Sequence, residues 1–311
     1  RGLGDVYKRQ EVADHDDWKV VRDDLIKNTG INTIPQIYVD RIEKQGTLVL
    51  KHEHDGRDLE IQYATEVVNH IEKYVCPTVT SDQILGGIPH RFAGDSRKHI
   101  VFLIGEREYE TEKTLPRFVS DHLLPAFRTT FVFADPEGVA RNKFHGVEAV
   151  RDADLLFVSV RRRALPKEDL KLLRNHVREG KPVIGIRTAS HAFSLRGRPA
   201  PPGHSVWEEW DAEVIGGNYT GHHGNALKTI VHSTEKGDHF LGNTTQVLYQ
   251  SGGSLYINSP MRPGQNVLLS GRVEGIERAE PLAWTFQRPD GGKTFYTSLG
   301  HISDFEQKAF V

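Results

Sequence analysis

Pro182-Val183-Ile184-Gly185-Ile186-Arg187-Thr188-Ala189-Ser190-His191-Ala192-Phe193 is the stretch that decides the fold. A short apolar strand runs into a turn, and the turn predicts a helix. Such a strand-turn-helix lifts one side chain to the rim of a parallel sheet, the place where α/β hydrolases expose their nucleophile. The residue at that perch is Arg187, which is permanently protonated and cannot attack a carbonyl.

The flanking segments repeat the same grammar. His99 to Ile104 reads as a buried strand, Thr114 to Phe127 as a helix, Phe131 to Phe133 as a second strand and Asp154 to Val160 as a third. A helix then follows, with Pro166 in its first turn, Leu170, Leu173 and Val177 on one face, and Gly180 as its stop. Pro182 to Ile186 is the fourth strand. Apolar strands alternating with amphipathic helices predict an α/β domain, a parallel sheet with helices on both faces. A separate unit precedes it. Ile34 to Val39 and Thr47 to His52 read as strands, and Asp58 to Val75 reads as a helix with Leu59, Tyr63, Val67, Ile71 and Tyr74 on one side, together a small α+β (ββα) unit. The expected organisation is a leader of adapter-like sequence over 1–10, the ββα unit over 11–81, a Gly/Pro-rich linker over 82–97 and the α/β domain over 98–311.

Bulk properties narrow the function. The chain has 311 residues, 40 Lys and Arg against 42 Asp and Glu, and a net charge of −2, which gives no electrostatic case for nucleic acid or an anionic membrane. No apolar run is long enough to span a bilayer. The one cysteine, Cys76, excludes an intrachain disulfide and a Cys-rich zinc site, and it lies outside the α/β domain. A reducing, cytoplasmic location is the expectation.

Two resemblances add to this reading. Leu48-Val49-Leu50-Lys51-His52-Glu53-His54-Asp55-Gly56-Arg57-Asp58-Leu59, with Tyr63-Ala64, resembles the C-terminal part of the stage V sporulation protein R (SpoVR) family, over residues 18–80. From 98 to 311 the chain resembles the ThuA-like (trehalose utilisation) family of the class I glutamine amidotransferase-like, flavodoxin-like fold. The carrying stretches are Val101 to Glu106 with Glu108-Tyr109, Ala153 to Pro166, Gly185 to Phe193, Gly216 to Tyr219 with Gly221 to Asn225, and Phe295 to His301. The family's C-terminal helix would follow Val311 and is expected to be truncated.

The resemblance implies carbohydrate metabolism and a ligand pocket at the C-terminal edge of the sheet. It places Arg187 where an amidotransferase carries cysteine, and Ala189 where it carries glycine, so glutamine hydrolysis through a thioester is not expected. His301 matches the amidotransferase histidine, and Asp304 follows three residues on. The candidate catalytic residues are therefore His301 and Asp304, with His191 beside the perch. The candidate ligand contacts are Arg187, Arg161, Arg162, Glu106, His222 and Trp207. The arginines sit after strand ends and would orient a carboxylate or polyhydroxyl group by forked hydrogen bonds, or form structural ion pairs. Trp207 to Asp211 combine aromatic faces with carboxylates, as a sugar site does, although tryptophans at this spacing also serve as core. Ser190 reads as a helix cap. No cofactor is assigned. A divalent metal at His222, His223 and His301 is an alternative to a metal-free pocket, but adjacent residues on a strand face opposite ways, so His222 and His223 would not both enter one site. The expected partner is a small molecule, a carbohydrate, acted on by an enzyme or held by a non-catalytic module on the same scaffold.

Overall fold

A computed structural model describes residues 97–123, 126–134, 139–241 and 247–311, together with the backbone of three strands within 37–64. By internal contacts the chain divides into one unit of residues 1–105 and 112–154 and another of residues 106–111 and 155–311.

In the first unit, β1 (Ile37–Ile42), β2 (Thr47–His54) and β3 (Arg57–Ala64) form an antiparallel sheet in the order β1-β2-β3. The helix expected from Asp58 is corrected here. Residues 57–64 pair with β2 over their whole length, from His54↔Arg57 to Thr47↔Ala64. Leu59, Ile61 and Tyr63 alternate, as a strand requires, and the spacing of Leu59 and Tyr63 fits a helix equally well. The rest of that expected helix, the leader over 1–10, Cys76 and nearly all of the linker lie outside the described residues.

The same unit holds β4 (Lys98–Gly105) and β5 (Phe127–Phe133), which pair in parallel from Lys98↔Phe127 to Ile104↔Phe133. Both strands are buried along almost their entire length, as strands covered on two faces must be. The intervening helix, α1 (Thr111–Phe118), starts earlier and ends sooner than the predicted 114–127. Pro116, which has no N–H to donate, lies inside it, and the chain continues as one wide turn, Val119–Leu123. On β4, His99 is fully buried, with Nε2 2.8 Å from Thr130 Oγ1 of β5 and its backbone N–H donating to Asp154 at 2.8 Å.

In the second unit, β6 (Leu155–Val160), the short β7 (Leu165–Pro166), α2 (Lys167–Arg178) and β8 (Val183–Ile186) follow the expected crossover. Leu170, Leu173 and Val177 are the buried face of α2, and Gly180, at φ +70, donates to Val177 O to close it. The remaining strands are β9 (His204–Ser205), β10 (Gly217–His222), β11 (Thr229–Ser233), β12 (Val247–Ser251), β13 (Tyr256–Met261), β14 (Gln265–Val273), β15 (Ile276–Gln287) and β16 (Lys293–Thr297), with α3 (Glu235–Leu241) after β11.

The strands run β12-β11-β14-β15-β16-β8-β6 in one sheet. Only β6, β8 and β16 are parallel here; β15, β14, β11 and β12 extend the sheet antiparallel. The purely parallel sheet read from the sequence is thus corrected to a mixed one. The β14–β15 hairpin turns through Glu274-Gly275, with Gly275 at φ +76. Val231, Leu255, Val273, Leu282 and Leu299 form the core of this antiparallel half.

Candidate functional site

The site is built around the turn after β8. Arg187 has φ +50, in the left-handed region that side chains seldom adopt. No regular helix follows: Arg187–His191 is a single 3-10 turn, which corrects the predicted helix. Tyr296 Oη on β16 donates to Arg187 O at 2.7 Å, and Trp210 Nε1 donates to Ala189 O at 2.7 Å. These two bonds hold the turn in its strained shape.

The Arg187 side chain is 2 % exposed. Its Nη1 donates to Ser254 O at 3.0 Å and Ser298 O at 2.6 Å, and its Nη2 donates to Tyr109 Oη and Ser254 Oγ, each at 3.3 Å. The guanidinium lies 4.6 Å from the ring centre of Tyr109 and 4.3 Å from that of Tyr256, so aromatic faces take part of the role that solvent would play. Gly253 makes the close approach possible: a Cβ there would stand 2.8 Å from Nη2.

Arg187 forms part of the wall of a pocket of about 270 Å³. Glu108, Tyr109 and Arg161 line it from two loops, and His191 and Arg196 from the chain after the turn. Tyr219, His222 and Asn225 contribute from β10 and beyond, and Gly252, Gly253, Ser254, Tyr256 and His301 complete it. Of the ligand contacts expected from sequence, Arg187, Arg161 and His222 therefore share one pocket with the catalytic candidates His191 and His301.

The others do not line it. Glu106 is buried, and its carboxylate accepts from the backbone N–H of Glu108 (2.7 Å), Tyr109 (3.0 Å) and Thr111 (2.9 Å) and from Thr111 Oγ1 (2.7 Å). It shapes the loop that presents Glu108 and Tyr109. Trp207 is core: its Nε1 donates to Glu213 at 2.9 Å, and its ring packs edge-on to Trp210 and under Arg174. Arg162 stands outside the wall at φ +51, donating to Ser194 O at 3.4 Å.

The expected His301–Asp304 pair is also rearranged. The Asp304 carboxylate accepts from the backbone N–H of Gly300 (2.8 Å) and His301 (3.0 Å), capping the 3-10 turn Ile302–Glu306. The imidazole Nδ1 instead accepts from Ser303 N at 3.2 Å and lies 2.8 Å from Ser303 Oγ. An Nδ1 that accepts a backbone N–H carries no proton, so the ring proton sits on Nε2. His301 in this arrangement is a hydrogen-bond donor, not a base. Burial, opposed by Asp304 and reinforced by Arg187, lowers its pKa.

His191 is buried, its Nδ1 3.1 Å from Ser190 Oγ and its ring 4.3 Å from that of Tyr219. Ser190 therefore serves His191 and not a helix cap. Burial first, then Arg162, Arg161, Arg196 and Arg187, push the His191 pKa well below the usual histidine value, so the ring is neutral at pH 7. His222 faces the pocket with Nδ1 2.7 Å from His223 O, whereas His223 Nε2 turns to Glu280, 3.5 Å away. His222 lines the pocket with His301 but His223 does not, and among the described residues no three His, Cys, Asp or Glu side chains group as a metal site.

Sequence reading missed Tyr219, Tyr256, Arg196, Asn225 and the Gly252-Gly253 pair as site residues. Gly252-Gly253 carried a signal, since paired glycines after a strand mark a close backbone approach. Tyr256 carried none, because its place depends on β13 pairing with β10.

No protein-family model matches the chain, and no curated protein does. Among solved structures, the chain is similar to a protein described as ThuA-like from Bacteroides uniformis ATCC 8492. The identity is 12 %, the match covers 72 % of this chain and 90 % of that one, and the TM-score is 0.49. A second ThuA-like protein, from Parabacteroides merdae ATCC 43184, matches at 16 % identity over 66 % and 80 %, with a TM-score of 0.44. The N-terminal domain of mmIFT52 matches at 11 % identity over 66 % and 86 %, with a TM-score of 0.39. The SpoVR resemblance receives no support from these comparisons. No helix among the described residues is long and apolar enough to cross a membrane.

Proposed function

We propose that this chain is a ThuA-like protein whose pocket binds a small polyhydroxyl ligand in carbohydrate metabolism of the trehalose type, in the cytoplasm, without glutaminase activity. The sequence blocks that carry the family resemblance include Glu108-Tyr109, Tyr219, Asn225 and His301, and all of these line the pocket. The observation that carries the reading is Arg187 itself. A buried guanidinium with four hydrogen bonds fills the perch on which a thiol would be needed, and the only cysteine of the chain is Cys76.

Tyrosine hydroxyls, the Asn225 amide and the histidines offer the mixed donors and acceptors that sugar hydroxyls require. Thermal-shift and calorimetric screening with neutral mono- and disaccharides tests this directly, alongside an assay for ammonia release from glutamine. A saturable sugar ligand with no ammonia supports the proposal. Ammonia release abolished by mutation of the pocket would overturn it.

One observation favours a second reading, a non-catalytic binding module. With Nδ1 held by Ser303 and the proton on Nε2, His301 orients a ligand oxygen but removes no proton from it. The readings separate on His301→Ala: loss of turnover with affinity retained favours the enzyme, whereas loss of affinity without any turnover in the unmutated protein favours the module.

A further inference from the structure

We infer that the pocket selects a ligand bearing an oxyanion, a carboxylate or a phosphate, seated against Arg187 and Arg196; the inference deepens the proposed reading of the pocket as a small-ligand site. The charges lining the wall do not balance. Arg161, Arg187 and Arg196 face one carboxylate, Glu108, and that carboxylate is already paired with Arg161 Nη2 at 2.8 Å.

Arg187 has no carboxylate partner among the described residues. Its acceptors are two carbonyls and two hydroxyls, all neutral, and its Nε is buried without a hydrogen-bond partner. Withdrawing a cation from water without a counter-charge is costly. The faces of Tyr109 and Tyr256 offset part of that cost, but a π face supplies no formal negative charge.

Arg196 complements it. It is exposed, on the loop after Ser194, whose Oγ accepts its backbone N–H at 3.3 Å, and among the described residues no carboxylate forms an ion pair with it. Arg187 is therefore recessed, with its Nη hydrogens engaged by protein acceptors, and contributes charge, while the accessible Arg196 is the guanidinium free to make forked hydrogen bonds to an oxyanion. Arg162 lies just outside the wall and adds to the same field, which already suppresses protonation of His191. A carboxylate or phosphate would neutralise this field, while Tyr219, Asn225 and His222 are left for neutral oxygens of the same molecule.

The test is calorimetric titration of the full chain, at one ionic strength, with D-glucose, D-glucuronate, D-glucose 6-phosphate, acetate and inorganic phosphate. At least one acidic sugar should bind roughly tenfold tighter than glucose, weaken as salt rises, and lose about that tenfold advantage in Arg196→Ala. Arg196 is exposed, so this variant keeps its fold where an Arg187 variant need not. The His191 ring resonance, followed by NMR, should titrate at higher pH once the anion is bound. The preferred acidic sugar identifies the oxyanion as carboxylate or phosphate. Glucose binding as tightly as both acids overturns the inference and leaves the pocket reading standing. Acetate or phosphate binding with no sugar bound supports the inference and overturns the carbohydrate reading. No binding by any anion, or acid binding unchanged in Arg196→Ala, overturns the inference.

Discussion

Arg187 shows how one side chain can be both wall and keystone. Its hydrogen bonds tie the turn after β8 to Ser254 before β13 and to Ser298 after β16. Arg187→Met keeps much of the volume but leaves two buried carbonyls without donors, at about 1–3 kcal/mol each. Chemical denaturation should accordingly show a loss of about 2–5 kcal/mol, with no ligand bound at any concentration that saturates the unmutated protein. Gly253→Ala tests the same contact from the other side. The added methyl would press on the guanidinium, so ligand affinity should fall at least about tenfold with a stability loss of about 1–3 kcal/mol. An unchanged affinity in calorimetry would show that the backbone yields there at no cost. At this scale the sequence was informative: the turn that follows the strand Val183–Ile186, and the arginine that opens it, were readable. Glu106 and Trp207 were misplaced because a carboxylate serving three backbone N–H groups and a sugar-binding carboxylate look alike until the loop is folded.

At the scale of elements, crossover segments were legible and the antiparallel half was not. The α2 segment carries Pro166, a Leu170-Leu173-Val177 face and Gly180, signals that all agree, and it forms where they say. Beyond Tyr219 the signals were turns more than strands. Glu274-Gly275 and Pro289-Asp290-Gly291 separate β14, β15 and β16, and strands exposed on one side have weaker apolar runs than those of a parallel core. β3 was illegible because Leu59 and Tyr63 satisfy both periods. The turn Ile302–Glu306 yields a prediction at this scale. If Asp304 is a cap, Asp304→Ala should destabilise by about 1–2 kcal/mol, with any activity falling only as His301 is displaced. Asp304→Asn, which retains an acceptor oxygen, should recover most of the stability in thermal denaturation. A catalytic dyad would lose activity in both variants at unchanged stability.

For the molecule as a whole, acid sensitivity is written into buried histidines, and besides His191 in the pocket there is one in each unit. His99 and His176 are both lowered to about 4 from 6.5, chiefly by burial, with Arg128 next for His99. The neutral ring is the folded form, so unfolding takes up protons below pH 6.5. Stability should therefore be level above about pH 7, decline as pH falls from 6.5 toward 4, and reach its full loss below 4. That loss is about 3 kcal/mol for each ring. His176→Gln should flatten part of this decline in urea titrations run across the pH window, whereas an identical slope would remove His176 from the account. Connectivity matters at the same scale. The second unit takes Glu106–Thr111 from a point in the chain ahead of residues 112–154. A dissected fragment starting at Leu155 would thus arrive without Tyr109 and Glu108, leaving Arg187 bare on one aromatic side and Arg161 without its acid. Engineers trimming this protein to its pocket would have to splice that hexapeptide back in, because the shortest working version of the site is not a continuous piece of polypeptide.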